Sequence, residues 1–97
     1  MQAMAGFVYI MTNRRDGTLY ISVTNDVARR PFEHRQGAVK GFTQRYGLKM
    51  LVYCEEFDDI RDAIQREHTI KHWPRAWKVR LIHSINPQWD DLYDTLI

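Results

Sequence analysis

The sequence predicts an α+β fold in which a three-stranded, mainly antiparallel sheet is flanked by helices. Three observations predict it: an opening β-hairpin, a third strand that follows an intervening helix, and a helical second half divided by two prolines. Strands and helices do not alternate regularly, which favours an α+β sandwich over parallel βαβ units. The predicted order is β-β-α-β-α-α, with a short helix at the C-terminus.

The opening hairpin is predicted from two apolar, β-rich segments around a turn. Phe7–Thr12 reads as the first strand and Thr18–Val23 as the second. The segment between them, Asn13–Gly17, ends in Asp-Gly, which is a strong turn signal.

The remaining elements follow from capping residues and helix breakers. A first helix is expected over Asp26–Gln36, because Thr24-Asn25-Asp26 offers N-cap residues and Gly37 is a natural stop. The other expected elements are a loop or single helical turn at Gly41–Gly47, a strand at Lys49–Phe57, a helix capped by Asp58-Asp59 that ends near His72 or Trp73, a helix at Arg75–Ile85, and an amphipathic tail at Trp89–Leu96.

Composition indicates one ordinary hydrophobic core. The chain has 97 residues, of which 44% are apolar and 12% aromatic, so residues 1–97 are expected to form a single domain. No apolar stretch approaches the roughly 18–20 residues that a membrane span requires, and no signal peptide is recognisable. We therefore expect a cytoplasmic protein without a membrane partner. The single cysteine, Cys54, excludes a disulfide within the chain.

The charges are distributed unevenly along the chain. Residues 1–50 hold eight Lys or Arg and three Asp or Glu, a balance of +5, whereas residues 51–97 hold six and nine, a balance of −3. Two interpretations fit this asymmetry: a basic surface that faces a polyanion, or an ordinary solvated face.

One carboxylate falls on the apolar face of the long helix. At about 100° per residue, Ile60, Ala63, Ile64 and Ile70 form an apolar stripe, and Glu67 lies within it. An unpaired buried carboxylate costs several kcal/mol. The pattern leaves two interpretations: a rim glutamate paired with a lysine or arginine, or a metal ligand at the floor of a cleft.

Two further features involve polar side chains that fall on one face. Arg30 and His34 are spaced i, i+4 on the first helix, where an arginine grips phosphate and an imidazole moves a proton, although surface pairs of this kind are common. Tyr9 and Tyr20 lie in the two hairpin strands with ten residues between them. With the turn centred on Arg14–Arg15, they would lie directly opposite each other, either as packing or as two phenols at one end of a cleft.

Together, two phenols, an arginine, a histidine and a carboxylate form a coherent set for hydrolysing a phosphodiester. In their order and spacing these residues resemble the GIY-YIG nucleases, and most closely the short stand-alone endonucleases related to the nuclease domain of bacterial excision-repair proteins. The resemblance covers nearly the whole chain. It is carried by Phe7-Val8-Tyr9, Tyr20-Ile21-Ser22, Thr24-Asn25-Asp26, Arg29-Arg30, Glu33-His34-Arg35, Lys40-Gly41-Phe42-Thr43, Leu51 to Phe57, Arg66-Glu67, Ile70-Lys71 and Asn86-Pro87.

The resemblance implies a three-stranded antiparallel sheet flanked by helices and an activity: metal-dependent hydrolysis of DNA. The two tyrosines would activate or orient water and contact the phosphate, Arg30 would stabilise charge on the phosphate, and His34 would support it. Basic residues near this helix would bind the nucleic acid: Arg29, Arg35, Lys40 and Arg45.

The resemblance further implies that Glu67 binds one Mg²⁺ or Mn²⁺, and that Asn86 is a supporting polar residue. A lone carboxylate leaves most of the coordination sphere to water and substrate oxygens, which suits Mg²⁺. No small-molecule cofactor is implied.

Two residues depart from the family pattern. Ser22 replaces the glycine that closes the second motif. If the family's glycine has a positive φ, serine is strained there. If the glycine instead makes room for phosphate, the serine side chain narrows the site. Pro31 follows Arg30 inside the expected helix, which must either kink there or begin later. Either outcome shifts Arg30, so we expect activity that is retained but reduced.

Three functions are therefore weighed. The first is a Mg²⁺-dependent endonuclease that acts at branched, damaged or single-stranded DNA. The second is a degenerate module that binds nucleic acid without cutting it, as Ser22 and Pro31 suggest. The third is a scaffold in which Trp89 and Tyr93 bind another protein, although such residues more often belong to the core.

Overall fold

A three-stranded antiparallel sheet, ordered β2-β1-β3, forms the centre of the chain. The computed structural model describes residues 4–37 and 41–96. The elements are β1 (Gly6–Thr12), β2 (Leu19–Thr24), α1 (Arg29–Arg35), α2 (Phe42–Arg45), β3 (Met50–Phe57), α3 (Ile60–Lys71), α4 (Arg75–Ile85) and α5 (Tyr93–Leu96). The predicted α+β class and element order are confirmed, with α2 as the single turn expected between two glycines. No helix in the described parts is long and apolar enough to cross a membrane.

The hairpin register differs from the prediction. Tyr9 pairs with Ser22, and Tyr20 pairs with Met11, so the two tyrosines are diagonal neighbours rather than directly opposite. The cause is the turn, which is centred one residue later than expected, with Asp16 at φ 57°. A one-residue move of the turn changes the pairing by two residues, and because side chains alternate with period two, both tyrosines stay on one face.

The first helix begins later than predicted. Its regular part starts at Arg29 instead of Asp26, because Pro31 has no N–H to donate to the carbonyl of Val27. Pro31 is instead the third residue of α1, in the first turn, where backbone N–H groups have no partner within the helix. Of the three candidate cap residues, Asp26 lies nearest the helix, and its carboxylate accepts the Arg29 N–H at 3.0 Å.

The two faces of the sheet carry separate buried clusters. On one face Val8 and Ile10 pack with Ala63 and Ile70 of α3 and with Ile82 of α4. On the other face Tyr9 and Met11 of β1 pack with Leu48 and Leu51. Helix α1 covers this second face, because the buried His34 contacts the Tyr9 side chain. The sheet therefore separates α1 from α3.

The C-terminal segment packs against both clusters. Trp89 is 2% exposed, and its indole N–H donates to Nε2 of His83 at 2.8 Å. Tyr93 is partly buried, with the Arg35 guanidinium 4.6 Å from its ring centre. The scaffold hypothesis, which required an exposed Trp89 and Tyr93, is therefore wrong in its premise, and the alternative that they pack against the domain is confirmed.

The buried face of α3 is narrower than the predicted stripe. Ala63 and Ile70 are fully buried, but Ile64 is 50% exposed. Ile64 lies on the far side of Ile60 from the two buried residues, which turns its side chain toward solvent. Glu67 lies between Ile60 and Ala63 around the helix, at the rim of the buried face.

Candidate active site

A buried hydrogen bond joins β1 to α1. The hydroxyl of Tyr9 lies 3.0 Å from Nε2 of His34, and the two side chains are 0% and 2% exposed. The alternation along β1 turns Tyr9 toward α1, and the helical repeat turns His34 back toward the sheet. Two residues that are 25 positions apart in the sequence thus satisfy each other's polar atoms in the second core.

Burial sets the protonation state of this pair. Burial raises the pKa of Tyr9 to about 12, against the opposing effects of the Ser22 hydroxyl and the Arg30 guanidinium. Burial and the charge of Arg30 lower the pKa of His34 below its ordinary value of 6.5. At neutral pH the pair is therefore a protonated phenol and a neutral imidazole.

Tyr20 completes a cluster of three rings. Its ring centre lies 5.4 Å from that of His34 in an edge-on arrangement, and the ring centre of Tyr9 lies 5.8 Å from His34 on its other side. Tyr20 belongs to the edge strand β2 and is partly exposed, whereas Tyr9 in the central strand is fully buried. The two motif tyrosines therefore differ in their access to solvent.

Two arginines at the start of α1 are held by one carboxylate. Glu33 accepts from Arg29 at 2.8 Å and from Arg30 at 3.2 Å. The hydrogen bond from Arg29 is the main cause that lowers the pKa of Glu33. Glu33 was not predicted as a site residue, although its spacing of four from Arg29 and three from Arg30 indicates such pairs.

A polar cleft of about 560 Å³ opens beside these arginines. It joins the two sides of the sheet at the edge strand, because the end of β2, the start of α1 and the start of α3 all contribute to it. Its lining residues are Val23, Thr24, Asn25, Asp26, Arg29, Arg30 and Ile60.

Glu67 lies on α3, outside the lining of this cleft. It follows Ile60 by seven residues, roughly 10 Å along the helix on nearly the same side. Its side chain is 16% exposed, and its carboxylate lies 3.3 Å from the Lys71 ammonium. The structure thus shows the ion pair that the sequence left open as one interpretation.

The donor set near Glu67 fits only a cation that is bound mostly by water and substrate. Within residues 4–37 and 41–96, no three His, Cys, Asp or Glu side chains come together as a metal site. One mostly buried carboxylate nevertheless suits Mg²⁺, which usually keeps several waters. Lys71 would have to yield its place.

The remaining expected site residues have other surroundings. The Asn86 carboxamide donates to the carbonyls of Val52 and Asp90 at 3.0 and 2.9 Å, so it ties the C-terminal segment to β3. Its expected supporting role stays a prediction. Arg45 is exposed with its guanidinium 5.6 Å from the ring centre of Tyr46, and Lys40 lies outside the described residues.

Comparison with known proteins places the chain in a family. A family profile described as the GIY-YIG catalytic domain matches residues 5–80. A UPF0213 protein of Natronomonas pharaonis is 41% identical over 76 residues, which are 78% of this chain and 88% of that protein. A UPF0213 protein of Desulfotalea psychrophila is 37% identical over 91 residues, which are 92% of this chain and 81% of that protein.

A solved structure shares the fold. The solution NMR structure of a UPF0213 protein from Bacillus halodurans superposes with a TM-score of 0.58 at 30% identity. The match covers 91% of this chain and 93% of that one. With the profile match across residues 5–80, these similarities show that the chain belongs to the GIY-YIG family.

Proposed function

We propose that this protein is a metal-dependent endonuclease that hydrolyses phosphodiester bonds in DNA. The observation that supports it most is the juxtaposition of Arg30, at the cleft, with the buried Tyr9–His34 pair. A cation that grips phosphate thus lies next to an ordered set of phenol and imidazole groups. Membership in a family of nucleases supports the same reaction class.

Arg30 is the residue for the scissile phosphate. The Arg30 side chain is 42% exposed, and its hydrogen bond to Glu33 uses one of its donor nitrogens. Planar guanidinium groups bind phosphate oxygens through two parallel hydrogen bonds. Glu33 restricts the side chain to the cleft, and Arg29 adds a second positive charge at the same rim.

The two tyrosines divide their work according to burial. Tyr9 is protonated and enclosed, so it positions His34 and does not itself remove a proton from water. Tyr20 keeps access to solvent and packs edge-on against His34. We therefore assign contact with the attacking water to Tyr20, and the orientation of the ring cluster to Tyr9 and His34.

Glu67 is the residue that would hold Mg²⁺ or Mn²⁺. When bound, such an ion offsets the negative charge that develops on the phosphate and the leaving oxygen. The chain itself supplies one carboxylate, and the partial burial of Glu67 limits the water that competes for it. Lys71 neutralises this carboxylate in the free protein.

Nicking of supercoiled plasmid DNA tests the proposal. Cleavage should require Mg²⁺ or Mn²⁺, stop with EDTA, and fall at least about 100-fold in Glu67→Gln and Arg30→Ala, since each removes a charge that acts on the transition state. Glu56→Gln is the matched control, because Glu56 is an exposed carboxylate on β3. Including a branched duplex beside the plasmid tests the structure preference expected of a repair or recombination enzyme.

A binding module that does not cut is the second candidate. Two observations favour it: Lys71 already neutralises Glu67, and Ser22 stands where the family motif has glycine. Absence of nicking under every metal condition, with DNA binding retained, would select this candidate. Ser22→Gly would then show whether the hydroxymethyl group blocks the reaction.

A further inference from the structure

A second groove lies on α4, on the face of the sheet opposite the tyrosine cluster. It has a volume of about 290 Å³ and is lined by Trp73, Trp77, Arg80, Leu81 and Ser84. The last four are spaced i, i+3, i+4 and i+7 along α4, so they form one stripe. Trp77 is 49% exposed, although large aromatic side chains usually bury most of their surface.

The two tryptophans form the walls of an aromatic surface. Their ring centres are 5.9 Å apart in an edge-on arrangement. The guanidinium of Arg66 lies 5.2 Å from the ring centre of Trp73, and Glu55 holds that guanidinium at 3.1 Å. Trp73 is therefore fixed in place, whereas Trp77 leaves ring surface open to solvent.

The segment that carries this groove has a net positive charge, and Arg80 is the cation in the groove lining. Residues 68–89 contain four basic residues, Lys71, Arg75, Lys78 and Arg80, and no Asp or Glu. Among the described residues, no ion pair joins Lys78 or Arg80 to a carboxylate. The half of the chain at residues 51–97 is nevertheless acidic overall, because the Asp and Glu residues on either side of this segment outnumber its basic residues.

We infer that the Trp73–Trp77 groove binds an unpaired base of single-stranded DNA, with Arg80 and Lys78 on the flanking phosphates. Aromatic side chains beside cationic ones are the elements by which proteins hold single strands without reading sequence. An apolar protein partner would not require the cation Arg80 in the groove, with Lys78 two residues before it. The choice of DNA as the ligand rests on the proposed function. The groove would bind a single-stranded segment of the same substrate, away from the cleft.

Fluorescence anisotropy tests the inference with a labelled oligothymidylate and a duplex of equal length, both in EDTA so that no cleavage occurs. Trp77→Leu, which keeps apolar area but removes the stacking ring, should weaken single-strand binding about 5- to 150-fold, the loss of one base–aromatic stack. Trp77→Tyr should recover most of it, and duplex binding should change less than about twofold. Ile85→Ala is the control, since Ile85 is 54% exposed on α4 outside the groove.

The salt dependence of binding tests the role of the charge. Arg80→Gln should lower the slope of log K against log salt by about 0.7 for the single strand, the contribution of one phosphate contact. Unchanged single-strand affinity in Trp77→Leu would overturn the inference. So would a protein dimer that dissociates in Trp77→Leu while DNA affinity is unchanged, because the groove would then bind a second copy. Loss of binding in Trp77→Leu with no nicking by the wild type would sustain the inference and refute the proposed nuclease.

Discussion

The hydrogen bond between Tyr9 and His34 is the residue-scale feature on which the candidate site depends. Both groups are buried, and each is the polar partner of the other at 3.0 Å. In the described parts of the chain, no fully buried side-chain nitrogen or oxygen lacks a partner. Removal of either member therefore takes a hydrogen-bond partner from the other within the buried core.

Replacement of His34 by alanine should destabilise the protein by about 0.5–1.5 kcal/mol through the lost hydrogen bond to Tyr9, with a further loss from the cavity. Urea denaturation at pH 7 measures the free energy of unfolding. His68→Ala is the matched control, because His68 is an exposed histidine on α3. Equal stability of the two variants would contradict the assigned pairing.

His34→Ala should also change how the free energy of unfolding depends on pH in the acid range. Because the folded-state pKa of His34 lies below 6.5, the unfolded chain binds its proton more readily, and stability present above pH 6.5 is lost as the pH falls through the lowered folded value. His34→Ala should lose this part of the pH dependence. If the free energy of unfolding of the variant falls with pH as steeply as that of the wild type, another group causes the dependence.

Ser22 illustrates how a single backbone angle separates two explanations. It lies in the extended strand β2, and the non-glycine residues with positive φ in the described chain are Asp16 and Trp89. Serine is thus not strained at this position. The other explanation, that serine narrows the site, is the one that fits, because the Ser22 side chain lies on the same face of the sheet as Tyr9 and directly opposite it.

At the scale of elements, α1 determines how the arginines reach the cleft. It is seven residues long, so its capping interactions matter more than its length. Asp26 caps it from outside its regular part, and the Asp26 carbonyl accepts the Arg30 N–H at 3.1 Å. Both Arg29 and Arg30 are therefore oriented by Asp26.

Substitution of Asp26 by alanine should cost about 1 kcal/mol of stability through loss of the cap. Thermal unfolding measures this loss. Asp58→Ala, which removes an exposed carboxylate before α3, should leave the stability within about 0.5 kcal/mol of the wild type.

Elements bounded by strong local signals were predictable, and those that depend on tertiary packing were not. Helix α4 has the predicted bounds because Pro74 and Asn86-Pro87 interrupt the helical pattern on both sides. The hairpin register was wrong because five turn residues allow the turn centre to move while both strands keep their apolar faces. The late start of α1 was one of two outcomes that Pro31 allowed, and the sequence contained nothing to choose between them.

At the scale of the whole molecule, the sheet separates two cores, and the site residues are divided between them. Tyr9, Tyr20 and His34 belong to the α1 side, whereas Glu67 belongs to the α3 side. Residue types and spacing suggested the chemistry of the set, which stays a prediction. They left open whether Glu67 pairs with a basic residue, and they could not predict that Tyr9 is enclosed, because its burial depends on how α1 packs against the sheet.

The free energy of unfolding should fall at alkaline pH. Burial raises the pKa of Tyr9 and Tyr53 to about 12 and that of Cys54 to about 11, above ordinary values of 10.0, 10.0 and 9.0. The unfolded chain therefore releases these protons first, so stability is fully present below about pH 9 and is lost as the pH rises through 11 and 12.

The melting temperature, measured at about pH 8, 9.5 and 11, checks this dependence. Tyr53→Phe should flatten it, because the buried phenol with its bond to Glu55 is removed. Tyr46→Phe, at an exposed tyrosine, is the control. A melting temperature that stays constant between pH 8 and 11 would contradict the prediction.

The ion pair between Glu67 and Lys71 has a consequence for how the protein matures. A partly buried carboxylate without compensation opposes folding, and many metal-binding domains stay unfolded until the ion arrives. Here the chain carries its own counter-ion one helical turn away. We therefore expect the domain to fold in a chelated or metal-starved environment, and a cation bound at Glu67 as proposed would take the place of Lys71 within a finished structure.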